Sequence, residues 1–282
     1  TAVTFTNQAA AEMRQRLEQR LGGKKGIRGM TIGTFHGLCY RILGAPSLLG
    51  EAEAAEIAEQ ILAAHHLKMK PREFLQAVSN RKNGLDSASP EETVFQAYCD
   101  HLREHNVCDF DDLLLNALEA DPPSGKPFSY LLIDEFQDIN PLQYRLILHW
   151  GHDSKSLFVI GDPDQSIYGF RGADSHCFEH VQRDWPELEE IRLITNYRST
   201  PEIISCALPV ISRNPGADRT LLPNRPENGL SVRQITTDSE YSEGIFIAKE
   251  IGRMTGGTDM LEAHIPDRQA AEIRAFSDVA IL

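Results

Sequence analysis

Hydrophobic positions along this chain follow two different periods. Residues 130–133, Tyr-Leu-Leu-Ile, form a short apolar run that does not alternate with polar residues. That pattern predicts a strand covered on both faces within a parallel sheet. The run ends abruptly in Asp134 and Glu135, with Asp138 close behind. In open α/β sheets ligands bind beyond the carboxyl ends of the strands, so these acids are expected at a functional edge. A second apolar run, 156–160, ends in the same way, with Asp162 and Gln165 following it. Shorter strands are predicted at 2–5, 30–34, 191–194, 230–235 and 278–282.

Between these strands the period changes to that of helices. Ala10, Met13, Leu17 and Leu21 make one apolar side after Asn7, read as an N-cap; Leu38, Ile42 and Leu43 make another. Further helices are predicted near 142–150, around 178–184, after Pro201 and over 241–254. The alternation is that of an α/β fold. Residues 44–127 break it, with four amphipathic stripes and no strand signal. The stripes are Ala54, Ile57, Ile61 and Leu62; Phe74, Leu75 and Val78; Val94, Phe95, Tyr98 and Leu102; and Phe110, Leu113, Leu114 and Leu118. We expect a small helical domain inserted into the α/β one and closed by a linker at 121–127. Residues 255–276 have no clear period and read as a loop with a short helix.

Composition narrows the picture. A length of 282 residues allows two domains, and the five scattered cysteines never pair as C-x-x-C. Neither a zinc site nor a disulfide framework is suggested, and a reducing, cytoplasmic compartment is expected. No membrane segment is visible. The net charge of −13 argues against nucleic-acid binding through overall basicity, yet the charge is uneven. Residues 1–43 hold seven Lys/Arg against two Asp/Glu, a balance of +5. Residues 44–127 stand at −8 and the remainder at −10, so only the first segment reads as a phosphate-facing surface. The chain opens and closes inside predicted strands and reads as a piece of something longer.

Several corners carry candidate chemistry. TFTNQAA puts an aromatic, two hydroxyls and an amide at the head of a helix, where free N–H groups and the dipole favour phosphate. Phe35-His36-Gly37 repeats the arrangement after the next strand. Arg14, Arg16 and Arg20 read equally as a solvated helix face or as phosphate contacts. Tyr168, Phe170 and Arg171 lie in a Gly-rich loop able to stack bases and pair phosphates.

Taken in order, TFTNQAAAEMRQR, GTFHGLCYRIL, LLIDEFQD, IGDPDQSIYGFRGA and TNYRS closely resemble the successive motifs of the UvrD/Rep/PcrA family of superfamily 1 helicases. The resemblance runs from the first residue through Thr200, and 277–282 resembles the start of the family's next strand. It implies a RecA-like P-loop NTPase domain made of 1–43 and 128–194, the helical insertion 44–127, and part of a second RecA-like domain at 195–282. It also implies ATP and Mg²⁺ as cofactors and 3′ to 5′ movement on single-stranded DNA or on a duplex with a 3′ overhang. Repair or replication partners are left open. By resemblance Asp134 is the metal-holding acid and Glu135 the base for the hydrolytic water. Gln165 is similar to the γ-phosphate sensor, Arg198 to the arginine finger, and Tyr197 to the adenine-stacking tyrosine. Phe5, Tyr168 and Phe170 match base-stacking aromatics; Thr6, Asn7, Thr34, His36 and Arg171 match backbone contacts.

The chain departs from the family pattern in three places. Gln8 stands where lysine is commoner, and Phe170 where tryptophan is frequent. No G-x-x-x-x-G-K-[ST] occurs anywhere. In the family that loop precedes the strand ending at Phe5, so it is expected before residue 1, and the chain alone is expected to bind ATP poorly and not to unwind DNA. Two rival readings stand beside the motor: a non-catalytic DNA-binding or interaction module with a helicase fold, and a metal-dependent nuclease using Asp134, Glu135, Asp138 and Asp162.

Overall fold

The computed structural model describes residues 1–85, 90–120, 128–169, 172–214, 219–225, 229–255 and 275–282. The predicted linker at 121–127, Phe170, Arg171 and nearly all of 255–276 lie outside the described residues. The chain divides into two compact units, Thr1–Glu189 and Glu190–Leu282.

The first unit is built on a four-stranded parallel sheet in the order β2-β1-β3-β4. Its strands are β1 (Ala2–Val3), β2 (Ile32–Gly33), β3 (Tyr130–Ile133) and β4 (Ser156–Val159). Register sets the faces: Ala2 pairs with Ile32 and Leu132, and Leu132 with Phe158, so these four share one side. Val3, Leu131 and Ile133 point to the other side and are fully buried. That side packs against α2 (Phe35–Ile42), α6 (Phe110–Glu119), α7 (Pro141–Gly151) and α8 (Cys177–Asp184). The opposite side is covered where α1 (Asn7–Arg20) lies on β2, burying Ile32.

Double coverage of β3 was the expectation, and it does not hold. Tyr130 is 58% exposed, Leu132 45% and Phe158 52%. An apolar run without alternation can be sealed on both sides only if an element packs on each. Among the described residues the second side is sealed at β2 and bare at β3 and β4.

A second hydrophobic cluster joins α3 (Glu51–Ala64), α4 (Pro71–Lys82) and α5 (Glu92–Glu104) around Phe74 and Tyr98, whose rings meet edge to face at 5.9 Å. The fourth predicted helix, α6, buries Leu113, Leu114 and Ala117 in the sheet-side cluster instead. A polar joint links the clusters. Lys82 Nζ donates to Asp109 Oδ2 at 2.7 Å and to Asp112 Oδ1 at 2.6 Å, and Asn83 Nδ2 donates to Asp111 Oδ1 at 2.8 Å.

The second unit holds a two-stranded parallel ladder of β5 (Thr195–Asn196) and β6 (Leu222–Pro223), with α9 (Pro201–Ile211) and α10 (Glu240–Met254). The strands predicted at 191–194, 230–235 and 278–282 do not form. A strand needs a neighbouring edge for its N–H and C=O groups as well as an apolar sequence. Leu193 is 76% exposed, Val232 51% and Ile281 68%, and among the described residues no ladder lies beside them. Residues 276–278 form a 3₁₀ turn instead. No described helix is long and apolar enough to cross a membrane, and all five cysteines are free.

Candidate functional site

The carboxyl ends of the sheet strands meet at one edge. Asp134 N–H donates to Val3 O at 2.9 Å, Thr4 N–H to Gly33 O at 3.0 Å, and Ile160 N–H to Ile133 O at 2.9 Å. Asp134 is half-buried there. Burial raises its pKa above the ordinary Asp value, the adjacent Glu135 charge adds to the rise, and a hydrogen bond from the Glu135 backbone holds it back. Thr4 itself is buried, and its Oγ1 has no hydrogen-bond partner of its own.

Glu135 adopts the left-handed conformation, with φ 53° and ψ 47°. A non-glycine residue there costs roughly 1–3 kcal/mol and persists only where its surroundings over-determine it. They do so here. Phe136 N–H donates to Ile160 O at 3.0 Å and its ring is fully buried, while Gln137 is 3% exposed. The bend turns the Glu135 carboxylate out to solvent, where its Oε2 accepts from Gln137 Nε2 at 2.8 Å. Asp138 follows one turn later. Burial and the Glu135 charge raise its pKa, and its Oδ1 is buried without a partner.

The loop after β4 closes around this turn. Gln137 Oε1 accepts from Asp162 N–H at 3.0 Å, and Ser166 Oγ donates to Gln137 O at 3.2 Å. The Asp162 carboxylate is engaged within its own 3₁₀ turn, accepting from Asp164 N–H at 3.0 Å and from Gln165 Nε2 at 2.7 Å. Gln165 is exposed at the mouth of the edge. Among the described residues no group of three or more His, Cys, Asp or Glu is arranged to hold a metal ion.

The same loop reaches an aromatic face. Phe5 and Tyr168 stack with ring centroids 5.4 Å apart and planes 20° apart. Phe5 follows β1 and leads into α1, whose N-cap is Thr6 and not Asn7. Thr6 Oγ1 accepts from Ala9 N–H at 3.1 Å, and Asn7 is the first helical residue. The hydroxyl sits one residue nearer the strand than expected, in the extended conformation that capping requires. Thr34 caps α2 in the same way, accepting from Gly37 N–H at 3.1 Å. Capping uses an oxygen lone pair, so each hydroxyl keeps an O–H to donate. Arg14 NH2 donates to Ile32 O at 3.1 Å, which ties it to the sheet, whereas Arg16 pairs with Glu12 on the surface.

His36 lies in the first turn of α2. Burial lowers its pKa, and its ring meets Phe110 edge to face at 5.4 Å. Phe110 is a member of this face that the sequence reading assigned to a core stripe; it is 49% exposed. Its spacing to Leu113 and Leu114 is that of a buried side, and its place at the open start of the helix is the only sign otherwise. Phe170 and Arg171 fall outside the described residues.

Tyr197 and Arg198 belong to the second unit. Asn196 Oδ1 accepts from Arg198 N–H at 2.9 Å and from Ser199 N–H at 2.8 Å, a turn that leaves both the Tyr197 and Arg198 side chains exposed.

Comparison with known proteins gives a consistent result. The family model described as the UvrD/REP helicase N-terminal domain matches residues 1–48 and 46–186. The chain is 35% identical to the ATP-dependent DNA helicase UvrD1 of Mycobacterium leprae, over 92% of this chain and 39% of that protein. It is 32% identical to the ATP-dependent DNA helicase PcrA of Bacillus subtilis, over 99% of this chain and 42% of that protein. The chain thus spans about two fifths of the length of the curated relatives it matches.

Proposed function

The chain belongs to the UvrD/REP helicase family, and on that premise we propose that it forms the ATP-hydrolysing and strand-holding part of a 3′ to 5′ DNA motor. One observation carries the reading: a single loop, 161–169, touches both halves of the chemistry. At Asp162 it meets the turn that carries Glu135, and at Tyr168 it stacks on Phe5. Movement of that loop is therefore a physical route between nucleotide and strand.

A hard divalent cation suits the residues present. Mg²⁺ takes oxygen ligands and usually only one or two protein carboxylates, the rest being phosphates and water. Asp134 would hold it, with the unpartnered Thr4 hydroxyl beside it. Bound there, the cation neutralises charge on the phosphates of ATP. The chain's own residues would do the rest. Glu135, exposed and aimed by its left-handed turn, orients the attacking water and takes its proton. Gln165 senses the γ-phosphate, Arg198 stabilises its developing charge, and Tyr197 stacks on adenine.

On the strand side, Phe5, Tyr168 and Phe170 stack bases. Thr6, Thr34, Asn7, His36 and Arg171 meet the backbone. The Phe5 and Tyr168 rings face each other, so a base entering between them has to part them, whereas one on an outer face does not. These 282 residues contain no G-x-x-x-x-G-K-[ST], and in this reading the chain alone binds ATP poorly and does not unwind DNA. The five free cysteines suit a reducing cytoplasm.

The test uses the full-length protein. Hydrolysis of ATP should be stimulated by single-stranded DNA and abolished by Glu135→Gln with ATP binding retained, and duplexes with a 3′ tail should be unwound in preference to those with a 5′ tail. Hydrolysis surviving in Glu135→Gln would remove the role given to that residue, and a preference for 5′ tails the direction.

A further inference from the structure

Gln137 is a buried polar side chain between the two acid-terminated strands, and the roles given to Asp134 and Glu135 do not use it. Its amide orientation is fixed by chemistry. Asp162 N–H can only donate, so the atom it meets at 3.0 Å is the amide oxygen. The amide nitrogen therefore faces Glu135 Oε2, at 2.8 Å. Both ends of the amide are satisfied, as a group this buried requires.

The surroundings are built around this amide. A Cβ at Gly161 would come within 2.4 Å of Gln137 Oε1 and 2.9 Å of Phe136 N, so a side chain at 161 would expel the glutamine or bend the turn. Ser166 Oγ reaches back to Gln137 O at 3.2 Å. The loop that ends at the Phe5–Tyr168 stack thus grips Gln137 at two points.

We propose that Gln137 is a positioning residue that holds the Glu135 carboxylate and makes its orientation depend on the 161–169 loop, so that strand binding at Tyr168 is read at Glu135. This rests on the hydrolysis reading above. The glutamine touches neither nucleotide nor DNA. It donates to the carboxylate while the loop's Asp162 N–H holds the amide oxygen; a loop that shifts when a base engages Tyr168 turns the amide, and the carboxylate with it.

Two variants of the full-length protein remove the bond to Glu135, one of them leaving an acceptor for Asp162 N–H. Gln137→Met keeps length and loses both. Gln137→Glu keeps an oxygen for Asp162 N–H but cannot donate to Glu135 and sets a like charge against it. Both are expected to lower kcat for ATP roughly 10- to 100-fold, the range of a lost hydrogen bond to a charged group. The KM for ATP and the Kd for an oligothymidine strand should stay within about twofold, and stimulation of hydrolysis by that strand should fall toward none. Gln137→Glu at the wild-type rate would overturn the proposal. So would a loss of kcat accompanied by equal losses in KM, strand affinity and Tm, which marks a merely structural residue. Glu135→Gln run alongside separates the two readings: hydrolysis surviving there removes the catalytic assignment, whereas its loss with normal Gln137 variants removes only this inference.

Discussion

The first unit contains two clusters of three carboxylates; burial raises carboxylate pKa values in both, and they differ in whether a cation sits among them. Asp109, Asp111 and Asp112 stand at the start of α6 around a buried lysine and a buried asparagine. Asp134, Glu135 and Asp138 stand at the end of β3, where the influences raising Asp134 and Asp138 are burial and the Glu135 charge. Burial works against the charge on Lys82, and its two carboxylates outweigh that, leaving its pKa raised. The first cluster holds one internal cation, Lys82, paired with two of its three carboxylates, and serves as a joint between two hydrophobic cores. The second is not neutralised by any cationic side chain among the described residues, and a cation with its phosphates would relieve it. Acid content alone does not tell a site from a joint; the presence of an internal counter-charge does.

Breaking each cluster should therefore give different losses. Glu135→Gln in the full-length protein should lower ATP hydrolysis by about 10²- to 10⁴-fold, the span of a general base, with Tm nearly unchanged. Lys82→Met should do the reverse. It strands two carboxylates that are partly shielded from water, and removing one partner of a buried pair costs about 3–5 kcal/mol. For a unit of this size that lowers Tm by several degrees or more, measured by calorimetry. Adding Asp109→Asn and Asp112→Asn should return much of the loss, because the uncompensated charge goes with them. If Lys82→Met leaves Tm unchanged and Glu135→Gln lowers it, the comparison is inverted.

The joint should also show a pH signature of known sign. Lys82 binds its proton more tightly in the folded chain than at its ordinary value of 10.5. Its contribution is therefore complete below about that pH and is lost as pH rises through the higher folded value. The Tm difference between wild type and Lys82→Met should hold steady from neutral pH to near pH 10 and shrink in stronger alkali. A difference that disappears by pH 8 would mean that Lys82 is not held charged.

One side of this contrast was legible in the sequence. The apolar run before Asp134 and Glu135 marked the strand, and the second acid-ended run marked its neighbour. What failed was whatever depends on a partner far away in the chain. Tyr130 and Leu132 read as core because nothing local says which face a helix will cover. Ile191 and Leu193 read as strand although no edge lies beside them among the described residues. Phe110 shares its spacing with Leu113 and Leu114, yet it projects past the end of the core. Gln137 carried no signal of its own and Thr4 read only as a hydroxyl at the head of a helix, since their meaning lies in Asp162 and Asp134, one on another strand's loop and the other at the end of a neighbouring strand.

Smaller effects belong to the strand face. Phe5→Ala removes one ring of the stack and should weaken binding of single-stranded DNA by about 1–3 kcal/mol, seen by fluorescence anisotropy. Its effect should exceed that of Arg16→Ala, whose exposed side chain pairs with Glu12 on the surface.

His36 gives the finest test, because its charge state separates two kinds of contact. Burial lowers its pKa below the ordinary 6.5, so the ring is neutral at pH 7.5, and in the proposed role it would meet a phosphate as a hydrogen-bond donor and not as a cation. His36→Ala should weaken single-strand binding by about 0.5–1.5 kcal/mol. A lysine or arginine lost from the same face would release one fewer counterion and flatten the slope of log K against log salt by about 0.7. His36→Ala should leave that slope unchanged at pH 7.5. A flattening of that size would mean that the ring carries charge against the phosphate, and that strand binding draws a proton onto His36 against the cost of its burial.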